Sequence, residues 1–391
     1  MVNDHVIHSA QLVTGAELVA DGWVAWSGDT ITATGVGKEW RVHADNDSAI
    51  TDAAGSYLTP GFIDIHCHGG NAAAFDDGAV AIRSALSVHR AHGTTRSVIS
   101  LVSGDHASLM HNLAAIAELT AIDPLVLGSH LEGPFLDAAF KGAHSPDVLR
   151  NPTPGEIDEL LAAAAGTLQH ITMAPELDGA LDAIAQLTEA GVAVAVGHTS
   201  ADYDQTLAAF DAGARLLTHA FNAMNGIHHR APGPITAAIS RESVTLEVIN
   251  DGVHVHPDVV KMLFASAPGR VALVTDAMAA ACASDGHYTL GSLDVTVTNG
   301  VARLSDGGSI AGSTLTMDVA VRRAVTEVGL SVPQAVAAAT AVPARAIGRE
   351  GDLGSLAPGF AADAVLLDAD FRVQAVWAAG LELPQPGQHD A

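Results

Sequence analysis

Residues 61–69 read GFIDIHCHG, a short apolar run from Phe62 to Ile65 that ends in a His-X-His pair. Such a run after Thr59 and Pro60, followed by glycine and then by an alanine-rich stretch, has the form of a buried strand feeding a loop and a helix. The pattern repeats down the chain. TTRSVISLV (94–102), LVLGSHLE (125–132), LQHITMAP (168–175), GVAVAVGH (191–198), RLLTHAF (215–221), VTLEVIN (244–250) and RVALVTD (270–276) are further strand candidates. Helical spacing of apolar residues falls between them, over 78–92, 105–121, 155–165, 177–190, 202–212, 256–266 and 317–328. Eight strands alternating with helices over about 290 residues predict a (β/α)8 TIM-like barrel, a fold of about 250 residues before insertions, with a doubly wound sheet as the alternative.

Outside that core the period changes. Residues 1–58 alternate as short strands, and 351–391 return to the same alternation after a helix expected over 332–347. The two ends are therefore expected to form one small β-sandwich module, with 59–350 as the barrel. A hairpin is expected in 286–310, inserted after the eighth strand.

The composition narrows the chemistry. Of 391 residues, 18 are Lys or Arg and 44 Asp or Glu, a formal charge of −26. A binder of phosphate backbones needs a basic face, so nucleic acid and anionic membranes are not expected partners. No long apolar run or secretory pattern is present in MVNDHVIHSA or elsewhere, which points to the cytoplasm. Two cysteines, Cys67 and Cys282, make no disulfide framework and read as small buried hydrophobes. No GxGxxG follows a strand, against a dinucleotide fold. The 20 histidines are the unusual count. His89, His92, His106 and His111, on helical stretches, read as solvent-facing.

The remaining histidines gather at strand ends. Period-two alternation would place Asp64, His66 and His68 on one face and Cys67 on the other, so that two imidazoles could hold one ion. Alone, the pair reads equally as core histidines held by hydrogen bonds. Glu132 closes the third strand, where a buried carboxylate needs a cation or a salt bridge, and the nearest basic residue is Lys141. His198 closes the fifth strand, His219 the sixth and Asp276 the eighth. In a barrel all of these meet at the C-terminal rim, where active sites lie. Together they predict a metal centre with open positions for water: His66 and His68 on one cation, His198 and His219 on another, Glu132 shared, and Asp276 placed to take a proton from water and return it to a leaving amine.

This layout resembles the amidohydrolase superfamily. The strings HLEGPF (130–135), KGAH (141–144), GHT (197–199), THAFNAM (218–224), DGVHV (251–255), VTDAM (274–278) and AGSTLTM (311–317) are similar to those of its N-acetylglucosamine-6-phosphate deacetylases, over essentially the whole chain. The resemblance implies Glu132, His198 and His219 as metal ligands, one or two divalent ions with two favoured and the second at His66 and His68, zinc as the metal, Asp276 as a further ligand and as general base and acid, and His144 as a group polarising the acetyl carbonyl. It further implies an amino-sugar phosphate lined by Ala143, Asn222, Ala223, Asp251, Gly252, Val253, His254, Ile310, Ala311 and Gly312. Arg230 would reach the phosphate in the neighbouring subunit of a homodimer, although read alone it is an ordinary exposed arginine. Cys67 stands where glycine is frequent, and the loop 278–287 differs in composition. Two other readings stay open from the residues: a deacylase acting on N-acyl-D-amino acids or cyclic amides, and a metal-binding protein without turnover.

Overall fold

A computed structural model describes residues 3–15 and 17–384. Eight strands form one sheet in chain order: Phe62–Asp64, Thr94–Leu101, Val126–Glu132, Leu168–Met173, Ala193–Val196, Leu216–Leu217, Thr245–Ile249 and Val271–Val274. From the second strand to the eighth every neighbouring pair is parallel. The ring closes at its mouth through backbone bonds, His66 O accepting from Asp276 N at 2.8 Å and His68 N donating to Ala277 O at 2.7 Å.

A helix follows each strand: Ala79–Ala91, His106–Ile122, Pro154–Ala164, Ala180–Glu189, Tyr203–Asp211, Gly233–Ser240, Pro257–Ser266 and Met317–Thr326. The barrel expectation is met. Local chemistry sets where several helices start. Asp105 accepts from Ser108 N, Thr153 precedes Pro154, and Asp202 forms a capping box with Gln205. The helix Gly233–Ser240 escaped the sequence reading because it is only eight residues long and opens with Gly-Pro, a pair that reads as a turn.

Strands from both chain ends share a second sheet. Its order is Leu381–Glu382, Val373–Ala378, Ala364–Leu367, Tyr57–Pro60, His5–Thr14, Glu17–Ser27 and Thr30–Val36, with Ala49–Asp52 also paired to His5–Thr14. Antiparallel pairing of Leu58 with Leu366 joins the termini, and Trp26 Nε1 donates to Gly380 O at 3.0 Å. Ile7, Leu12, Trp26, Leu58 and Trp377 form its core.

Four expectations need correction. The single helix over 332–347 is two, Val332–Ala339 and Ala341–Ala346, broken at Thr340, where φ −136° and ψ −84° leave the helical region. The hairpin after the eighth strand is a three-stranded meander, Gly286–Leu290, Leu293–Thr298 and Val301–Leu304, whose Leu290, Val295, Val297 and Ala302 pack with Val102 and Met278. His89 is buried rather than solvent-facing, and Cys282 is exposed rather than buried.

The chain divides into two compact units, Met1–Asp64 with Ser87–Arg96 and Met317–Ala391, and Ile65–Leu86 with Ser97–Thr316. Every site residue considered below belongs to the second. No helix among the described residues is long and apolar enough to cross a membrane.

Candidate active site

The first strand stops at Asp64, two residues before the histidine pair, so strict alternation does not place these side chains. An irregular segment does, and it still brings His66 Nε2 and His68 Nε2 to 3.1 Å. His198, His219 and Asp276 each stand two residues beyond the end of their strands and have φ of +48°, +24° and +47°. Left-handed backbone is costly for residues with a Cβ. Here it turns each side chain from the strand direction across the barrel mouth.

Two overlapping donor sets result: His66, His68, Glu132 and Asp276, and Glu132, His198 and His219, all buried. Glu132 is common to both. Its Oε1 lies 3.0 Å from His198 Nε2 and from His219 Nε2, and its Oε2 lies 3.1 Å from His68 Nε2 and 3.4 Å from His144 Nε2. Asp276 Oδ1 lies 3.4 Å from His68 Nε2 and 3.5 Å from His66 Nε2. His198 Nε2 and His219 Nε2 are 3.0 Å apart.

These distances fit a divalent cation. Two nitrogens each about 2.0–2.1 Å from one tetrahedral ion sit about 3.3 Å apart, close to the imidazole spacings here. The outer nitrogens agree. His198 Nδ1 is 3.0 Å from the Phe140 carbonyl and His66 Nδ1 3.1 Å from Glu247 Oε2, so a proton sits on each Nδ1 and a cation between the rings would take the inward-facing Nε2 atoms in place of any proton there. Burial alone would lower the His66 pKa, but the Glu132 and Asp276 carboxylates hold it well above the usual value. Burial raises the Glu132 carboxyl, yet His66 and bonds from His144, His198 and His219 keep it well below the ordinary range. The site thus calls for positive charge. Lys141 does not supply it, because its Nζ turns to the carbonyls of His144 and Gly142, at 3.2 and 3.5 Å.

His144 plays a different part. The Ser103 N–H donates to its Nδ1 at 3.3 Å, which leaves the ring proton on Nε2, and burial pushes its pKa down to about 4. It is a neutral donor aimed at the site.

A cavity of about 400 Å³ opens over the cluster. Of the residues implied for the sugar phosphate, Ala143, Asn222, Ala223, His254, Ile310 and Gly312 line it. Glycine suits position 312: at φ +64° a side chain would be strained, and a Cβ would lie 3.0 Å from the Asp276 carbonyl. Asp251, Gly252, Val253 and Ala311 are absent from the wall. Asp251 instead accepts from Val253 N and His254 N and meets His254 Nδ1 at 2.7 Å, while Ala311 N donates to Ala302 O. Arg230 lines a separate cavity of about 500 Å³ with Asp202, Tyr203 and His228.

The structure adds residues that the strand-end reading passed over. Phe140, Leu290 and Ser309 line the cavity, and Glu247 holds His66. Glu247 had a signal, being the one charged residue inside the apolar run VTLEVIN. Leu290 and Ser309 had none, since only the folded meander brings them to the mouth.

A parallel eight-stranded barrel whose rim collects imidazoles and carboxylates around cation positions defines the class of metal-centred barrel hydrolases. The chain belongs to the amidohydrolase family, whose model matches residues 57–383. It is 40% identical over 337 residues to an N-acetylgalactosamine-6-phosphate deacetylase of Escherichia coli O157:H7, covering 85% of this chain and 89% of that relative. It is 36% identical over 327 residues to an N-acetylglucosamine-6-phosphate deacetylase of Vibrio furnissii, covering 83% and 82%. Among solved structures it is similar to a mutant N-acetyl-D-glucosamine-6-phosphate deacetylase from Mycobacterium smegmatis in complex with N-acetyl-D-glucosamine-6-phosphate, with TM-score 0.92 and 42% identity over 98% of this chain and 100% of that one. The family that the motifs resemble is thus the family found.

Proposed function

We propose that the protein hydrolyses the acetamide of N-acetyl-D-glucosamine 6-phosphate to D-glucosamine 6-phosphate and acetate, in amino-sugar catabolism and recycling. The observation that carries this reading is the double donor set sharing Glu132 beneath a sugar-sized cavity. Borderline nitrogen and carboxylate donors suit zinc, and two sets suit two ions. A divalent cation held there would supply Lewis acidity, polarising a carbonyl oxygen and lowering the pKa of a bound water towards neutrality.

The side chains do the rest. Asp276 Oδ1 takes a proton from the attacking water and delivers it to the amide nitrogen as the C–N bond breaks, so one carboxylate acts as base and then acid. His144 Nε2–H donates to the acetamide oxygen as negative charge grows on it. The reading as a metal-binding protein without turnover loses ground here: a structural centre would have no use for Asp276 beside an open cavity.

His254 is proposed to hold the phosphate. Burial would lower its pKa, but the bond to Asp251, with charge from Asp251 and Asp276, raises it above the ordinary value. A raised histidine is charged below its folded pKa and loses the charge as pH rises through it. KM is therefore expected to climb at alkaline pH. Asp251→Asn should move that climb to lower pH, and an unmoved KM profile would remove His254 from the phosphate site.

Arg230 is proposed to serve the neighbouring site of a homodimer, a reading supported by its place outside the lining of its own chain's metal cavity. A second substrate reading, the galactosamine epimer, has the 40% identical relative behind it. One experiment addresses these points together: acetate release from both epimers, with and without the 6-phosphate, alongside metal content per chain. Wild type is expected at two equivalents with strict need for phosphate. His66→Gln with His68→Asn is expected at one equivalent, and Arg230→Ala at two with raised KM. Equal turnover without phosphate would overturn the substrate assignment, and undiminished metal in the double variant would overturn the two-ion one.

A further inference from the structure

Residues 65–68 lie beyond the end of the first strand; Cys67 O still accepts from Ser100 N of the neighbouring strand at 3.0 Å, and the other backbone groups need further partners. The eighth strand's end meets two of them, through Asp276 N to His66 O and Ala277 O to His68 N. Side chains deeper in the barrel meet two more. His170 Nε2 donates to Ile65 O at 2.6 Å, and Cys67 N donates to Ser100 Oγ at 3.0 Å. Ser100 Oγ also lies 2.9 Å from His130 Nδ1.

The two deeper histidines act as one piece. His130 and His170 stack with centroids 3.7 Å apart and planes 5° apart, and His130 meets His66 edge to face at 4.7 Å and 74°. His130 Nε2 is 2.9 Å from Thr172 Oγ1, which is 2.8 Å from Thr218 Oγ1. Both rings are wholly buried. A flat ring with one N–H suits the place. An aliphatic side chain would leave the Ile65 carbonyl buried without a donor, and a lysine would add a buried charge.

We propose that His170, backed by the stacked His130, is a positioning residue that holds His66 and His68 in ligating geometry and so decides whether the cation position they form with Glu132 and Asp276 is filled. This rests on the two-ion reading above. Glu132, His198 and His219 stand on other strands and do not depend on the bond to Ile65. His170→Leu therefore removes one ion selectively, whereas His170→Gln keeps a donor at the reach of Nε2.

The test measures zinc per chain and zinc affinity, by competition with a chromophoric chelator, on wild type, H170Q, H170L and S100A, with circular dichroism to confirm folding. Wild type and H170Q are expected at two equivalents. H170L is expected at one, the affinity of the lost position falling about 10–100-fold as for other residues that support metal ligands. Two equivalents in folded H170L, or one in H170Q, overturns the inference and leaves the two-ion reading standing. Should H170L not fold, S100A decides, one equivalent supporting the inference and two overturning it. Wild type at one equivalent overturns the two-ion reading; the inference then stands if H170L loses that ion while H170Q keeps it, and falls otherwise.

Discussion

Glu132→Gln is expected to abolish binding at both cation positions at once and to lower acetate release by more than about 10³-fold, since removing a single preorganised stabiliser of developing charge already reaches that size. The reason is that Glu132 belongs to both donor sets. Oε1 faces His198 and His219 and Oε2 faces His68, so one amide in place of the carboxylate weakens two centres. It also removes a negative charge from a pocket where five imidazoles converge, and Lys141 is too far committed to backbone carbonyls to compensate in either direction. The shape is kept, so the variant should fold. Metal analysis checks it directly: one equivalent retained would mean the two sets are independent, and two would mean Glu132 is no ligand.

Asp276→Asn separates chemistry from binding. Its Oδ1 lies 3.4 Å from His68 Nε2 and 3.5 Å from His66 Nε2, farther than Glu132 lies from His68, His198 and His219, and the neutral amide can still fill the position. Metal content is expected to fall little, while turnover drops about 10²–10⁴-fold, the range of a positioned proton-transfer group. KM should change much less than kcat, because the proton moves only as the bond breaks. Activity within a few-fold of wild type would show that another group takes the proton. Loss of the metal with the activity would make Asp276 a ligand first and a base second.

Much of this architecture was legible before folding. Eight apolar runs separated by helical periods left few folds open, and polar residues closing apolar runs, Glu132, His198, His219 and Asp276, marked the rim because a buried charge or imidazole at such a place requires a partner. The motif strings did the same for the family. Legibility failed where contacts are remote. Alternation placed His66 and His68 together for the wrong reason, since the strand ends at Asp64 and the pair is set by bonds to Ile65, Cys67, Asp276 and Ala277. Glu247, His130 and His170 look like anomalies inside strands until the barrel brings them beneath the pair.

The sequence by itself determined the barrel, the ligand types and the family, because hydrophobic period and residue chemistry are local and survive in one dimension. Only the tertiary structure decided that Glu132 serves two donor sets, that His144 is a neutral donor fixed by Ser103, that Asp251 holds His254 rather than lining the cavity, and that the inserted meander supplies a wall. Each of these depends on distances between residues tens to hundreds of positions apart, and on burial that shifts a proton from one atom to another.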